Sequence, residues 1–172
     1  MTPLAESAGE EEAIQVVTTV NGAPVSTVAE PRLLLTDFLR DVLHLTATKV
    51  GCEHGACGAC SVLLNGELVR SCLLLAVQVT GREVTTLEGV RDYPEVATLS
   101  EAMRRHHALQ CGFCTPGMIM ATFCYLRDRR GFEEADFRDY ISGNLCRCTG
   151  YEGLVNAVRA TQRELASGDR HE

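Results

Sequence analysis

Tryptophan is absent, and aromatic residues make up only 5% of the 172 residues, so the core must be assembled from aliphatic side chains rather than around large rings. Positive charge is also short. Sixteen Lys and Arg stand against 23 Asp and Glu, a formal net charge of -7, and a field of that sign repels phosphate backbones, which excludes nucleic acid as a natural partner. Long apolar runs are missing as well: the longest, Cys72 to Val77, is about six residues, against the roughly 20 that a membrane-spanning helix needs. No nucleophile stands beside a base, no glycine-rich loop precedes a helix as a phosphate cradle, and no carboxylate pair is set for acid-base work. Substrate chemistry is therefore not expected in this chain. Residues 1–13, with Glu10, Glu11 and Glu12 in a row, read as a disordered leader. They lack a basic start, an apolar stretch and a twin-Arg pair, and so point to a reducing cytoplasm, where thiols stay available for metal.

What is present is a balanced globular composition, 45% hydrophobic and 23% charged, in a length that accommodates one ordinary domain or two small ones. Ile14 to Val20 is β-branched or polar, Asn21-Gly22 is a hairpin turn, and Val25 to Val28 returns as a second strand. Leu35, Phe38, Leu39 and Val42 recur at helical spacing, with Thr36 as the expected cap. Ser61 to Leu64, the turn Asn65-Gly66 and Glu67 to Arg70 form a second hairpin, and Glu83 to Leu87 a last strand. After Gly89 the period changes from two to 3.6. Arg91 to Pro94 has linker composition, Thr98 to Glu101 fits a capping box, Thr115-Pro116 a cap and first turn ahead of a helix to Arg130, Glu133 to Ser142 a third helix closed by Gly143, and Thr149 to Glu152 another capping box before Leu154 to Leu165. The expected architecture is α+β: a β-rich domain over 14–90, a helical domain over 91–167 forming a small four-helix bundle, and a short tail over 168–172.

Nine cysteines are the compositional outlier, and the odd total argues against complete disulfide pairing. Eight fall into two quartets, one per expected domain. Cys52, Cys57, Cys60 and Cys72 make C-x4-C-x2-C with a distant fourth cysteine, the spacing of plant-type [2Fe-2S] ferredoxins. Gly51, Gly55 and Gly58, with Ala56 and Ala59, suit a tight loop whose N–H groups point at sulfur. Structural zinc and disulfides are the alternatives, zinc favouring paired C-x2-C knuckles. Cys52-Glu53-His54 also offers half of a Rieske motif, but Cys60 stands where the second half needs a histidine. Cys111, Cys114, Cys146 and Cys148 form C-x2-C and C-x-C, which taken alone suits four-thiolate zinc as well as a cluster. Cys114 and Cys148 each precede an expected helix start, where the positive dipole end favours thiolates. Cys124 has no partner at ligand spacing and is expected to be a core thiol. His106 and His107 read as solvated residues at a helix end, and the run Arg127 to Arg130 as a solvated helix terminus.

Three segments, Gly51-Cys-Glu-His-Gly-Ala-Cys-Gly-Ala-Cys60, Gln110-Cys-Gly-Phe-Cys-Thr-Pro-Gly117 and Gly143-Asn-Leu-Cys-Arg-Cys-Thr-Gly-Tyr151, together resemble the small iron-sulfur subunit of the xanthine oxidase family of molybdenum hydroxylases, which includes aerobic carbon monoxide dehydrogenase. The resemblance runs from about Ile14 to Leu165 and implies a plant-ferredoxin-like β-grasp domain followed by a four-helix bundle, each binding one [2Fe-2S] cluster. It implies an electron-transfer subunit of a multi-subunit oxidoreductase, placed between a large molybdopterin-binding subunit and a medium FAD-binding subunit in a dimer of heterotrimers. By the same carry-over Cys111, Cys114, Cys146 and Cys148 hold the cluster nearer molybdenum, and Cys52, Cys57, Cys60 and Cys72 the cluster on the flavin side. Gln110 is similar to a glutamine that hydrogen-bonds the molybdenum cofactor, and Cys148 to the ligand closest to the pterin. The competing expectations are a free-standing two-cluster ferredoxin and a zinc-stapled adaptor without redox function.

Overall fold

The computed structural model describes residues 13–128 and 131–168. Residues 1–12 of the expected leader, Arg129 and Arg130 of the expected helix end, and residues 169–172 of the expected tail lie outside the described residues.

The chain opens with an antiparallel hairpin, β1 (Ile14–Val20) and β2 (Ala23–Ala29), in full register from Ile14↔Ala29 to Val20↔Ala23. Asn21 and Gly22 both take positive φ, 52° and 77°, the two-residue turn whose twist matches that of the strands. A short helix α1 (Leu35–Asp37) continues into a π-helical turn over Phe38–Val42, where Leu43 N–H bonds back to the Phe38 carbonyl. This element buries Leu35, Phe38 and Leu39 completely on the sheet, each contributing about 1.5–3 kcal/mol of burial free energy. Thr36 does not cap it. Leu34 holds the cap position without a side-chain bond, and the Thr36 hydroxyl lies inside the helix, buried and unpartnered.

The second hairpin pairs β3 (Ser61–Leu64) with β4 (Glu67–Arg70), and β5 (Glu83–Thr85) runs parallel to β1 and antiparallel to β3. The mixed sheet has the order β2-β1-β5-β3-β4. β5 ends earlier than its hydrophobic pattern predicts, because Leu87 already opens a helical turn, α2 (Leu87–Val90). β3 is buried on both faces. Val62 and Leu64 join the core under α1, whereas Leu63 joins the helical core on the opposite side, which explains a strand that is apolar at three consecutive positions.

Four further helices follow: α3 (Pro94–Arg105), α4 (Thr115–Asp128), α5 (Glu134–Tyr140), continued by a 3-10 turn to Gly143, and α6 (Glu152–Gly168). α3 starts at Pro94 in its first turn, so Thr98 to Glu101 lie inside the helix rather than at its cap; proline's fixed φ at a position whose N–H has no intrahelical partner outweighs the capping-box pattern. Gly143 ends α5 through the 3-10 turn and does not take a left-handed conformation. Thr149 Oγ1 accepts from Tyr151 N–H, at 3.4 Å, and the left-handed residues are Gly150 and Tyr151. The few aromatic rings are concentrated here: Tyr125 makes an edge contact with Phe137 at 5.0 Å and lies 5.4 Å from Tyr140. Among the described residues no helix is long and apolar enough to cross a membrane.

Candidate metal centres

The loop 51–60 leads directly into β3, and Cys72 sits in the 3-10 turn Ser71–Leu73 that follows β4. Antiparallel pairing of Ser61 with Arg70 therefore brings the two ends of the hairpin together, and Ser71 seals them, its N–H and hydroxyl both bonding the Cys60 carbonyl, at 3.3 and 2.8 Å. Cys60 and Cys72 are buried, Cys52 and Cys57 half-buried. Glu53, Gly55 and Gly58 all take positive φ, which coils the loop tightly enough for Cys57 N–H to reach Cys52 Sγ at 3.4 Å. His54 is exposed, its ring against the Cys52 carbonyl of its own loop.

The second quartet assembles from two loops. Cys114 stands immediately before α4 and Cys111 in the exposed turn ahead of it; Cys146 and Cys148 lie between the 3-10 turn and α6. The Cys111 and Cys148 sulfurs are 3.8 Å apart, and Cys146 Sγ accepts the N–H groups of Cys148 and Thr149, each at 3.4 Å.

The sulfurs associate in pairs, Cys52 with Cys57, Cys60 with Cys72, Cys114 with Cys146 and Cys111 with Cys148, and within each quartet the two pairs also interact electrostatically. Backbone N–H groups of His54 and Cys57 draw the Cys52 thiol down to about 6. Burial pushes the Cys146 thiol up, but the Thr149 hydroxyl and the Cys148 and Thr149 N–H groups prevail and bring it to about 7. Burial and then the neighbouring sulfur push Cys72 up to about 11 and Cys114 up to about 12. Contact with Cys111 raises Cys148. Four thiolates so close repel one another, so full ionisation of either quartet requires a multiply charged cation among them.

Among the described residues no three His, Cys, Asp or Glu side chains gather tightly enough to hold a single metal ion. Zinc needs all its sulfurs about 2.3 Å from one point, whereas a two-iron cluster takes two thiolates on each iron. The paired sulfurs, N–H groups aimed at sulfur and purely thiol donor sets fit the two-iron group. Gln110 is exposed beside Cys111.

Cys124 lies in α4, 2% exposed, and burial pushes its thiol up to about 11. Iodoacetamide at pH 8 is expected to leave it unmodified in the folded protein and to alkylate it only after unfolding, as peptide mapping would read. The sign of its pH linkage follows: below pH 9 the thiol is protonated folded and unfolded, and between about 9 and 11 only the unfolded chain ionises, so its contribution to stability falls as pH rises. Cys124→Ala should remove that dependence and leave both metal centres in place. Loss of iron in that variant would contradict the separation of Cys124 from the quartets.

The residues that connect the quartets carry no sequence signal beyond their place in or beside the cysteine motifs. Leu145 N–H donates to the Cys57 carbonyl at 2.9 Å. Asn144, 3% exposed, donates through Nδ2 to the carbonyls of Gly58 and Gly117, at 3.3 and 3.1 Å, and its Oδ1 accepts from Arg70 at 3.2 Å. The Tyr151 hydroxyl accepts from Cys146 N–H at 2.7 Å and donates to the Asn144 carbonyl at 3.0 Å. The position of these polar residues within the cysteine motifs was the one available hint.

Residues 18–88 match the family described as 2Fe-2S iron-sulfur cluster binding domain, and residues 86–159 the family described as [2Fe-2S] binding domain. The chain is 46% identical over 145 residues to the caffeine dehydrogenase subunit gamma of Pseudomonas sp. (strain CBB1), covering 83% of this chain and 87% of that one. To the xanthine dehydrogenase iron-sulfur-binding subunit of Escherichia coli O157:H7 it is 42% identical over 149 residues, covering 86% and 93%. A chain of quinoline 2-oxidoreductase from Pseudomonas putida 86 superposes with a TM-score of 0.83 at 43% identity, covering 91% of this chain and 98% of that one.

Proposed function

The chain belongs to the small iron-sulfur subunits of the xanthine oxidase family of molybdenum hydroxylases, and from that membership we propose that it conducts electrons from a molybdopterin centre in a large partner subunit to FAD in a medium one. The domain over 14–90 is then the ferredoxin-like β-grasp unit, holding one [2Fe-2S] cluster on Cys52, Cys57, Cys60 and Cys72. The domain over 91–167 is the four-helix unit, holding the other on Cys111, Cys114, Cys146 and Cys148. When bound, each cluster accepts and returns one electron at a time, so two clusters divide the pair released by a two-electron oxidation.

The chain's own residues do the rest. N–H groups directed at Cys52 and Cys146 stabilise negative charge on sulfur, and burial of Cys60 and Cys72 keeps water from one side of the first centre. Cys111 and Cys148 are exposed beside Gln110, which supports assigning this end to the molybdopterin subunit, with Gln110 and Cys148 contacting its cofactor. The observation that carries the reading is the junction itself: a single hydrogen bond, Leu145 N–H to the Cys57 carbonyl, joins a residue next to Cys146 to a cysteine of the other quartet.

A fixed complex suits the surface better than a free-standing ferredoxin. Met118 to Met120 are buried, yet Phe113 is 48% exposed and Leu145 54%, and both border the loop 51–58. These two exposed apolar side chains beside the loop support a face that a partner subunit covers. A dimer of heterotrimers in the cytoplasm completes the proposal.

The test is electron paramagnetic resonance of the dithionite-reduced protein with spin and metal counting. Two distinguishable signals totalling about two spins per chain, one for each one-electron cluster, are expected. One signal, with zinc in place of the missing iron, would end the relay.

A further inference from the structure

One buried side chain touches the surroundings of both quartets. Asn144 Nδ2 reaches Gly58, which lies between Cys57 and Cys60, and Gly117, in the first turn of α4 three residues beyond Cys114. Its Oδ1 accepts from Arg70, two residues before Cys72, and its carbonyl accepts from the Tyr151 hydroxyl, which in turn accepts the N–H of Cys146. Arg70 extends the network to the Gly143 carbonyl at 2.7 Å and to the Ser61 hydroxyl, itself bonded to the Gly58 carbonyl at 2.6 Å. A Cβ on Gly58 would stand 2.6 Å from Asn144 Nδ2, so the backbone approach is as close as glycine permits. Tyr151 keeps its place with a left-handed backbone, φ 67°, a conformation uncommon for a bulky residue and one that the surrounding bonds must hold.

From this we infer that Asn144, Arg70 and Tyr151 form the spacer that sets the distance and mutual orientation of the two metal centres, with Asn144 its hub. The inference rests on the two-cluster reading above. Asn144 is buried with both ends of its amide bonded, so displacing it leaves a desolvated donor or acceptor unpaired, and the half-buried Arg70 and Tyr151 brace it from either side. Gly58 and Gly117 are therefore held at one separation, and Cys57, Cys60 and Cys114 with them. Tyr151 has a second effect: its hydroxyl engages the Cys146 N–H, withholding that donor from sulfur, while the N–H groups of Cys148 and Thr149 remain directed at Cys146 Sγ. These are positioning residues. None of the three supplies a ligand.

The experiment uses the fully loaded wild-type protein, Asn144→Ala and Tyr151→Phe, and reads the magnetic interaction between the two reduced clusters, as splitting and relaxation enhancement of their resonance signals, together with each cluster's potential. In Asn144→Ala both clusters should remain at full spin count with their mutual interaction changed, and electron exchange between them should slow. In Tyr151→Phe, which retains the ring and every Asn144 side-chain bond, the signal and potential of the helical-domain cluster should shift while the other cluster stays as in the wild type. Full occupancy with an unaltered interaction in Asn144→Ala would overturn the inference. Should that variant not fold, an unshifted helical-domain cluster in Tyr151→Phe would overturn it instead. A wild-type protein lacking the second cluster would remove the two-cluster reading, an outcome distinguishable from both.

Discussion

A Cys57→Ser variant is expected to retain one [2Fe-2S] signal unchanged and to lose or grossly alter the other, with electron flow through the protein abolished. The hydroxyl of serine does not ionise near neutral pH and is a poor donor to iron, a centre that thiolates satisfy. The surviving signal should belong to the helical domain, because the serine backbone still offers its carbonyl to Leu145 N–H, at 2.9 Å in the wild type, and none of Cys111, Cys114, Cys146 and Cys148 is altered. Iron analysis should fall by half in step with the resonance spectrum. Two unperturbed signals in the purified variant would refute the placement of Cys57 among the ligands.

Gly117→Ala is expected to produce the largest loss of stability for the smallest change of composition. A Cβ at Gly117 would fall on the Gly58 carbonyl oxygen and stand 3.1 Å from Ala59 Cα. Both obstacles are backbone. No rotamer relieves them, and either α4 or the loop 51–60 must move. Overpacking of this kind costs about 1–3 kcal/mol when neighbours can adjust, and here the neighbour is the loop that carries Cys57 and Cys60, so the upper end of that range and partial loss of iron from the first centre are expected. Gly131→Ala is the control: an added Cβ there meets nothing within 4 Å, and its effect should stay within about 0.5 kcal/mol, as for ordinary surface sites. Comparing thermal unfolding of the two variants with retained iron separates the effects. Equal stability of the two would show that the α4 contact yields without cost.

The hairpins were legible because their signals are local. Asn21-Gly22 and Asn65-Gly66 each place two consecutive residues at positive φ, and a two-residue turn dictates the register of the strands beside it. The cysteine spacing was equally local for Cys52, Cys57 and Cys60, which share one loop. The pairing of β1 with β5, residues apart in sequence from Thr19 to Glu83, has no such signature, since nothing in either strand names its partner. Capping was misread where tertiary burial intervened: Thr36 has the right chemistry for a cap, but burying Leu35, Phe38 and Leu39 sets where the helix begins. The junction between the quartets was invisible for a different reason. Asn144 bonds Gly58 across 86 positions and Gly117 across 27, and an asparagine in a loop looks the same whether its amide faces water or another loop's backbone.

The sheet's two outer strands, β2 and β4, differ in their surroundings. α4 packs against β3 and β4, whereas among the described residues β2 pairs on one side only and offers a row of donors and acceptors to any strand of a second molecule. In a two-residue hairpin the residues flanking the turn, Val20 and Ala23, exchange hydrogen bonds, so the next pair, Thr19 and Pro24, does not, and the nitrogen at position 24 faces outward. Proline there sacrifices nothing within the hairpin and deletes a donor from the open margin. Growth of the sheet by strand addition meets an interruption at that point, which helps keep a chain with an open margin from associating with copies of itself.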